Sequence, residues 1–188
     1  MRPRCLLCPL TLALLAGCGS GPDAIQVDPP EPVLRVGERL ELRAEPLEEL
    51  AGEPTWEVQE LHGGGFLRST GLRVTYLAPP SAGTYHVVLR APRAEGGSAK
   101  GLLELRVLPD LRVLPAEAAV APGGSLAFTA RLRGLPRPTV TWRVEEASGG
   151  QVGPDGRYSA PGHTGVFHVV ATSTVDPSVS ATAVVRVS

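Results

Sequence analysis

YLAPPSAGTYHVVLRA, Tyr76 to Ala91, returns 82 residues later as YSAPGHTGVFHVVATS, Tyr158 to Ser173. Both runs carry Tyr-x-Ala-Pro, a turn-forming stretch, then Gly-x-(Tyr/Phe)-His-Val-Val, in which apolar and other residues alternate. A period of two is the mark of a half-buried strand. Such a segment occurring twice in 188 residues points to a duplicated β module.

Sliding the chain against itself extends the match outward. At a spacing of 86, Ile25-Gln26-Val27 falls on Leu111-Arg112-Val113, Gly37 on Gly123, Leu40 on Leu126, Leu42 on Phe128, Ala44 on Ala130, and Thr55-Trp56-Glu57-Val58 on Thr141-Trp142-Arg143-Val144. The spacing drops to 82 after Gly64 and Gly150, and to 80 where Leu105-Arg106-Val107 meets Val185-Arg186-Val187. Spacings that change only between matched blocks place insertions in loops and make the blocks the strands. Leu40, Leu42 and Ala44 alternate against Arg39, Glu41 and Arg43, again the half-buried pattern. The 19 prolines and 22 glycines fall largely between the blocks, where they form turns. Only Pro46-Leu47-Glu48-Glu49-Leu50 predicts a single helical turn. The expected fold is all-β: two β-sandwich domains, residues 25–108 and 109–188, joined by a linker at Leu108-Pro109-Asp110 too short for much freedom.

In immunoglobulin-type sandwiches a core cysteine precedes a core tryptophan, and a later strand carries Gly-x-Tyr-x-Cys. Here Ala44 and Ala130 each precede a tryptophan, Trp56 and Trp142, by 12 residues, and Val87 and Val169 stand where the second cysteine would be. The core markers are therefore Trp56, Tyr85, Trp142 and Phe167. With VTWRV, GRYSAPG, GVFHVVATS and the terminal SATAVVRVS, the second unit resembles a bacterial Ig-like domain of the group 2 kind. The first unit keeps the Trp and Ala-Pro signatures but departs at APRAEGGSAKGLLELRV. The resemblance implies architecture and an exported location, since such domains occur in adhesins, as spacers in cell-wall enzymes and in lipoproteins.

The N-terminus points the same way. Arg2 and Arg4 precede an apolar run from Cys5 to Ala16, a signal-peptide core too short for a membrane span. It closes on Leu15-Ala16-Gly17-Cys18, which resembles the lipobox of bacterial lipoproteins. The resemblance implies cleavage between Gly17 and Cys18, diacylglycerol and palmitate on Cys18, and residues 18–24 as a lipid-anchored tether. Removing 17 residues leaves 171 and no further apolar stretch of spanning length. Gly19, where an aspartate would signal retention at the inner membrane, favours the outer membrane by the same analogy. With Cys5 and Cys8 lost and Cys18 acylated, no disulfide can form, so the fold must stand on its core.

The whole chain has 18 basic and 19 acidic residues, and losing Arg2 and Arg4 leaves a net charge of −3. No basic patch or nucleic-acid motif is present, which argues against a nucleic-acid partner. From Cys18 to Leu108 nine basic residues face thirteen acidic ones, and from Pro109 onward seven face six. The acidic stretch Glu38 to Glu60 reads as a solvated face.

No Gly-x-Ser-x-Gly, HExxH or P-loop occurs, and no acid pair stands out, so no enzyme is expected. Repeat-equivalent placement on an inward strand argues for core packing of Trp56 and Trp142 over sugar stacking. His86 and His168 alternate with inward residues, so each is expected to face outward alone. His62 and His163 lie in Gly-rich loops without a cysteine, and no metal site or cofactor is expected. Asp110, Glu117 and Asp176 fall near the linker without the ordered acidic ladder of a calcium site. Asp155-Gly156 reads as a tight turn. The sequence thus predicts a non-enzymatic, lipid-anchored envelope protein whose modules act as a spacer or interaction scaffold. A membrane and an envelope protein are its expected partners. The other reading is a surface adhesin or polysaccharide-binding protein using the distal loops of the second unit.

Overall fold

The computed structural model describes residues 25–47 and 49–188. The segments expected to be a signal sequence, a lipobox with Gly17 and Cys18, and a tether, residues 1–24, lie outside the described residues. The described chain is all-β, with seventeen strands and no helix among them. The helical turn expected at Pro46–Leu50 does not form among the described residues. Leu50 instead pairs with Arg93, and Ala51 donates to the Pro92 carbonyl. The two strands that this loop joins diverge to different sheets, and bridging to the 90s pairs Leu50 and Ala51 without a helix.

In the first unit β1 (Gln26–Asp28), β3 (Arg39–Glu45), β6 (Arg73–Leu77) and β5 (Gly65–Phe66) form one sheet in the order β1-β3-β6-β5. Strands β2 (Val33–Arg35), β8 (Ser98–Leu108), β7 (Gly83–Pro92) and β4 (Thr55–Val58) form the other, in the order β2-β8-β7-β4. The N-terminal run switches sheets: β1 lies antiparallel on β3, and after Pro29 and Pro30 β2 lies parallel to β8. A proline cannot donate to a ladder, so the crossing falls where the pairing has to break.

The second unit repeats the plan. β10 (Glu117–Val120) runs parallel to β17 (Ser180–Val187), followed by β16 (Gly165–Ser173) and β13 (Val140–Val144) in one four-stranded sheet. The opposite layer is split: β9 (Asp110–Leu114) pairs with β12 (Thr129–Arg133), and β11 (Ser125–Ala127) pairs with β15 (Arg157–Ser159), which also pairs with β14 (Gln151–Val152). The split falls at Phe128, which corresponds to Leu42 of the unbroken β3.

Each unit closes on its own core. Leu42, Trp56, Tyr76, Val87, Leu89 and Leu105 centre the first, and Phe128, Tyr158, Phe167, Val169, Ala183 and Val185 the second. Ala44 and Val87 are buried where a disulfide would sit, as is Val169 opposite the partly buried Ala130. Apolar contact replaces the covalent bridge, with each fully buried valine contributing about 1.5–3 kcal/mol.

Candidate functional site

The two histidines are not alone. The Glu60 carboxylate accepts from the His86 backbone N–H at 2.9 Å and from the ring Nδ1 at 2.7 Å. Glu146 accepts from the His168 backbone N–H at 2.8 Å and from its Nδ1. The expectation of solitary outward histidines is corrected: the strand β7 or β16 does turn the ring outward, but the turn after β4 or β13 folds a glutamate back over it. The signal was present in the repeat, because Glu60 and Glu146 are spaced by the same 86 residues as the tryptophans. Burial pushes both carboxyls up, yet the hydrogen bonds from the histidine backbone and ring outweigh it and hold them below the usual glutamate range. A carboxylate can only accept, so Nδ1 carries the proton and a neutral ring leaves its lone pair on Nε2.

The same turns are pinned from inside. Tyr76 donates its hydroxyl to the Gly63 carbonyl, and Tyr158 to that of Gly149 at 2.6 Å. Gly63 and Gly149 in turn donate their N–H groups to the Glu60 and Glu146 carbonyls. Gly64 (φ +91) and Gly150 (φ +88) are left-handed, and a Cβ there would strike the carbonyls of Leu77 and Ser159. Burial, then the charges of Tyr85 and Glu60, pushes the Tyr76 phenol up to about 12. Burial and Glu146 raise Tyr158. These Glu–His–Tyr turns are structural braces. Among the described residues the only side chain hydrogen-bonded to either ring is its glutamate.

The second concentration of polar contacts is the junction between the units. Val36 donates to the Leu108 carbonyl and Arg35 Nη1 to that of Pro109, at 3.1 and 3.3 Å. Across the junction, Ala82 donates to the Gly134 carbonyl at 2.8 Å, and Ser81 bridges Gly134 in parallel. Gly134 sits at φ +93, and a Cβ there would lie 2.8 Å from Val36 Cγ1, 3.1 Å from Pro109 Cα and 3.5 Å from Ala82 Cβ. Only glycine fits both the conformation and the space. Tyr85 braces the first unit's side of this contact, donating its hydroxyl to the Ser81 carbonyl at 3.0 Å, the back-bond of a tyrosine corner.

Asp110, 4% exposed, is held beside the linker by Arg133 Nη2 at 2.8 Å and Arg112 Nε at 3.2 Å. Burial alone would raise its pKa, but the hydrogen bonds and charges of the two guanidiniums bring it below the usual aspartate range. Asp176 is engaged in its own turn, accepting from the Ser178 N–H and hydroxyl. Glu117 lies exposed on β10. Among the described residues no group of three or more His, Cys, Asp or Glu side chains is placed to hold a metal ion. His62 is exposed in its loop, and the His163 ring stands edge-on to Phe167 with centroids 5.7 Å apart. Asp155-Gly156 does form the turn into β15, Gly156 at φ +81 and the Asp155 carboxylate accepting from the Arg157 N–H.

Trp56 is 4% exposed, with its indole N–H on the Gly71 carbonyl at 2.9 Å. Phe167 is 5% exposed. Trp142 and Tyr85 pack against their cores but are only partly buried. The large exposed apolar side chains of the second unit, Leu114, Val166 and Val175, lie on three different elements.

The chain resembles a number of solved structures at low identity. They include the C-terminal 282-residue fragment of intimin in complex with the intimin-binding domain of its translocated receptor, with 16% identity over 85% of this chain and 61% of that one and a TM-score of 0.38. The insect immune protein hemolin matches at 17% identity over 87% and 49%, TM-score 0.37. Drosophila N-cadherin EC1–4 matches at 19% identity over 87% and 49%, TM-score 0.35. The chain spans less than two-thirds of the length of these structures. No family model matches the chain, and no curated protein does.

Proposed function

We propose that the protein is a non-enzymatic lipoprotein of the cell envelope, acylated at Cys18, whose two Ig-like modules form a spacer or scaffold that presents the second module at a set orientation to an envelope protein. The observation that carries this reading is the junction. Two domains that merely shared a chain would need no glycine without room for a Cβ against the other unit, no bridge from Ser81 to Gly134 and no bond from Arg35 to the Pro109 carbonyl. Each of these limits the motion that is the default for tandem domains. The lipobox-like Leu15-Ala16-Gly17-Cys18 supplies the anchor in this reading, and two or more acyl chains hold a protein firmly without a basic patch. Gly19 favours the outer membrane by analogy.

The test has two arms. Cys18→Ala should abolish incorporation of labelled palmitate and release the chain from the membrane fraction; retention without acylation overturns the anchor. Insertion of about ten Gly/Ser residues at Pro109, a flexible coil in place of the junction, should impair whatever envelope phenotype deletion of the gene produces. Unchanged function with a flexible junction overturns the spacer.

A further inference from the structure

The two units differ at one sheet edge. In β4 of the first unit, alternate residues turn their N–H groups away from β7. Trp56 donates to the Ser69 carbonyl at 2.8 Å, Gly71 donates back to the Pro54 carbonyl at 2.9 Å, Thr70 lies opposite Thr55, and the Trp56 indole bonds Gly71. The segment Ser69–Gly71 thus covers the edge. It belongs to the stretch that the second unit lacks, where the repeat spacing falls from 86 to 82.

In the second unit the corresponding edge is open. Glu145 donates to the His168 carbonyl and Thr174 to the Thr139 carbonyl, so Thr139, Thr141, Arg143 and Glu145 bond to β16. Val140, Trp142 and Val144 therefore point their N–H and C=O groups out of the sheet. Among the described residues none of these groups has a recorded partner, nor has the Trp142 indole. The side chains of all three are only partly buried, where Trp56 is 4% exposed. An uncharged row of three unpaired peptide groups is what proteins ordinarily cover or interrupt.

We infer that β13 pairs antiparallel with β13 of a second copy of this chain, about a two-fold axis at Trp142, joining the two four-stranded sheets into one. The strand is self-complementary in that register. Trp142 faces Trp142 and exchanges both hydrogen bonds with it, and Val140 faces Val144 twice, giving six backbone bonds. The inward-facing residues of the seam are then all apolar. On the outer face Arg143 meets the partner's Thr141, with no like charge directly opposite. A self-matching patch of this kind is the isologous contact of a two-fold dimer. The first unit supplies the precedent, since an antiparallel segment already occupies its equivalent edge. The inference goes beyond the spacer reading and does not depend on the anchor.

Across the proposed seam Thr141 and Arg143 form a non-hydrogen-bonded pair with Cα atoms about 4.5 Å apart, within disulfide range. The full-length chain carrying Thr141→Cys with Arg143→Cys should therefore form oxidised dimers on a non-reducing gel. Neither single variant should exceed the parent chain with its own Cys5, Cys8 and Cys18. Thr55→Cys with Glu57→Cys, at the covered edge, should also give no excess. In sedimentation of the detergent-solubilised chain, Thr141→Glu, facing Arg143 twice, should tighten the dimer about two- to thirtyfold and Thr141→Arg should weaken it by a similar factor. Both sites are exposed, so folding is spared. A chain that stays monomeric, crosslinking equal to that of the single variants, or equal dissociation constants for the two charge variants would each overturn the proposal.

Discussion

Gly134→Ala tests the junction most directly. A non-glycine residue at φ +93 costs about 1–2 kcal/mol whatever surrounds it. The added methyl would also lie 2.8 Å from Val36 Cγ1 and 3.1 Å from the Pro109 backbone, and overfilling of that kind costs about 1–3 kcal/mol. The Ala82–Gly134 hydrogen bond that opposes separation contributes about 0.5–1.5 kcal/mol. The clash is of the same order as the bond it opposes, so the contact should loosen before either unit unfolds. Gly123→Ala is the matched control, because Gly123 has φ +74 with nothing within 4 Å of its Cβ position. It carries the backbone cost without the clash. With Cys5, Cys8 and Cys18 replaced by serine, spin labels at Arg90→Cys and Arg186→Cys should report one narrow distance in the parent and in Gly123→Ala, and a broad distribution in Gly134→Ala. A parent already broad, or a Gly134→Ala variant as narrow as its control, would refute the reasoning.

Trp56→Ala should cost about 3–5 kcal/mol, and Trp142→Ala clearly less, because only Trp56 is fully enclosed and bonded through its indole; urea midpoints of the two variants check the order. Asp110→Asn should remove about 1–3 kcal/mol at neutral pH by leaving two guanidiniums without their carboxylate. Because the native Asp110 pKa is depressed, the unfolded chain binds the proton first, and that stability is lost as pH falls from about 4 through the native value; the variant's acid unfolding curve should be shallower, and an unchanged slope would count against the clamp. At the alkaline end the sign is reversed: Tyr76 is raised from 10.0 to about 12, so its stability is intact below pH 10 and lost as pH rises toward 12, and Tyr76→Phe should flatten that limb in a fluorescence-monitored titration.

Much of the fold was legible because a duplicated sequence contains its own control. Spacings of 86, 82 and 80 separate strands from loops without any further sequence, and the alternation around Tyr76–Ala91 gives the inward face. The parallel pairing of β2 with β8 was not legible, since three-residue strands after a proline pair leave no periodic signal. The Glu–His pairs were legible in principle. Spacing aligned the glutamates, but period-two reasoning assigns a side chain a face and cannot say which loop folds over that face. The cross-junction bond from Ala82 to Gly134 is a tertiary fact with no local pattern.

The places where the copies diverge follow from what each one touches. Tyr85 keeps the hydroxyl that braces Ser81, and that loop bears on the second unit. Its counterpart Phe167 has no hydroxyl, and among the described residues no other unit packs on its loop, 160–164. Trp56 lies under a covering segment and is enclosed, while Trp142 lacks the segment and is partly open. A duplicated module under selection for stability alone would be expected to keep both devices in both copies, because each is worth more than most surface changes. The second unit has neither device, so its β13 edge and its loop 160–164 lack the contacts that occupy the equivalent places of the first unit. The unsatisfied peptide groups of β13 are then better explained by a contact this unit makes than by neglect. The double-cysteine experiment at Thr141 and Arg143, with the covered edge at Thr55 and Glu57 as its internal reference, separates these explanations, because neglect predicts the same low crosslinking at both edges.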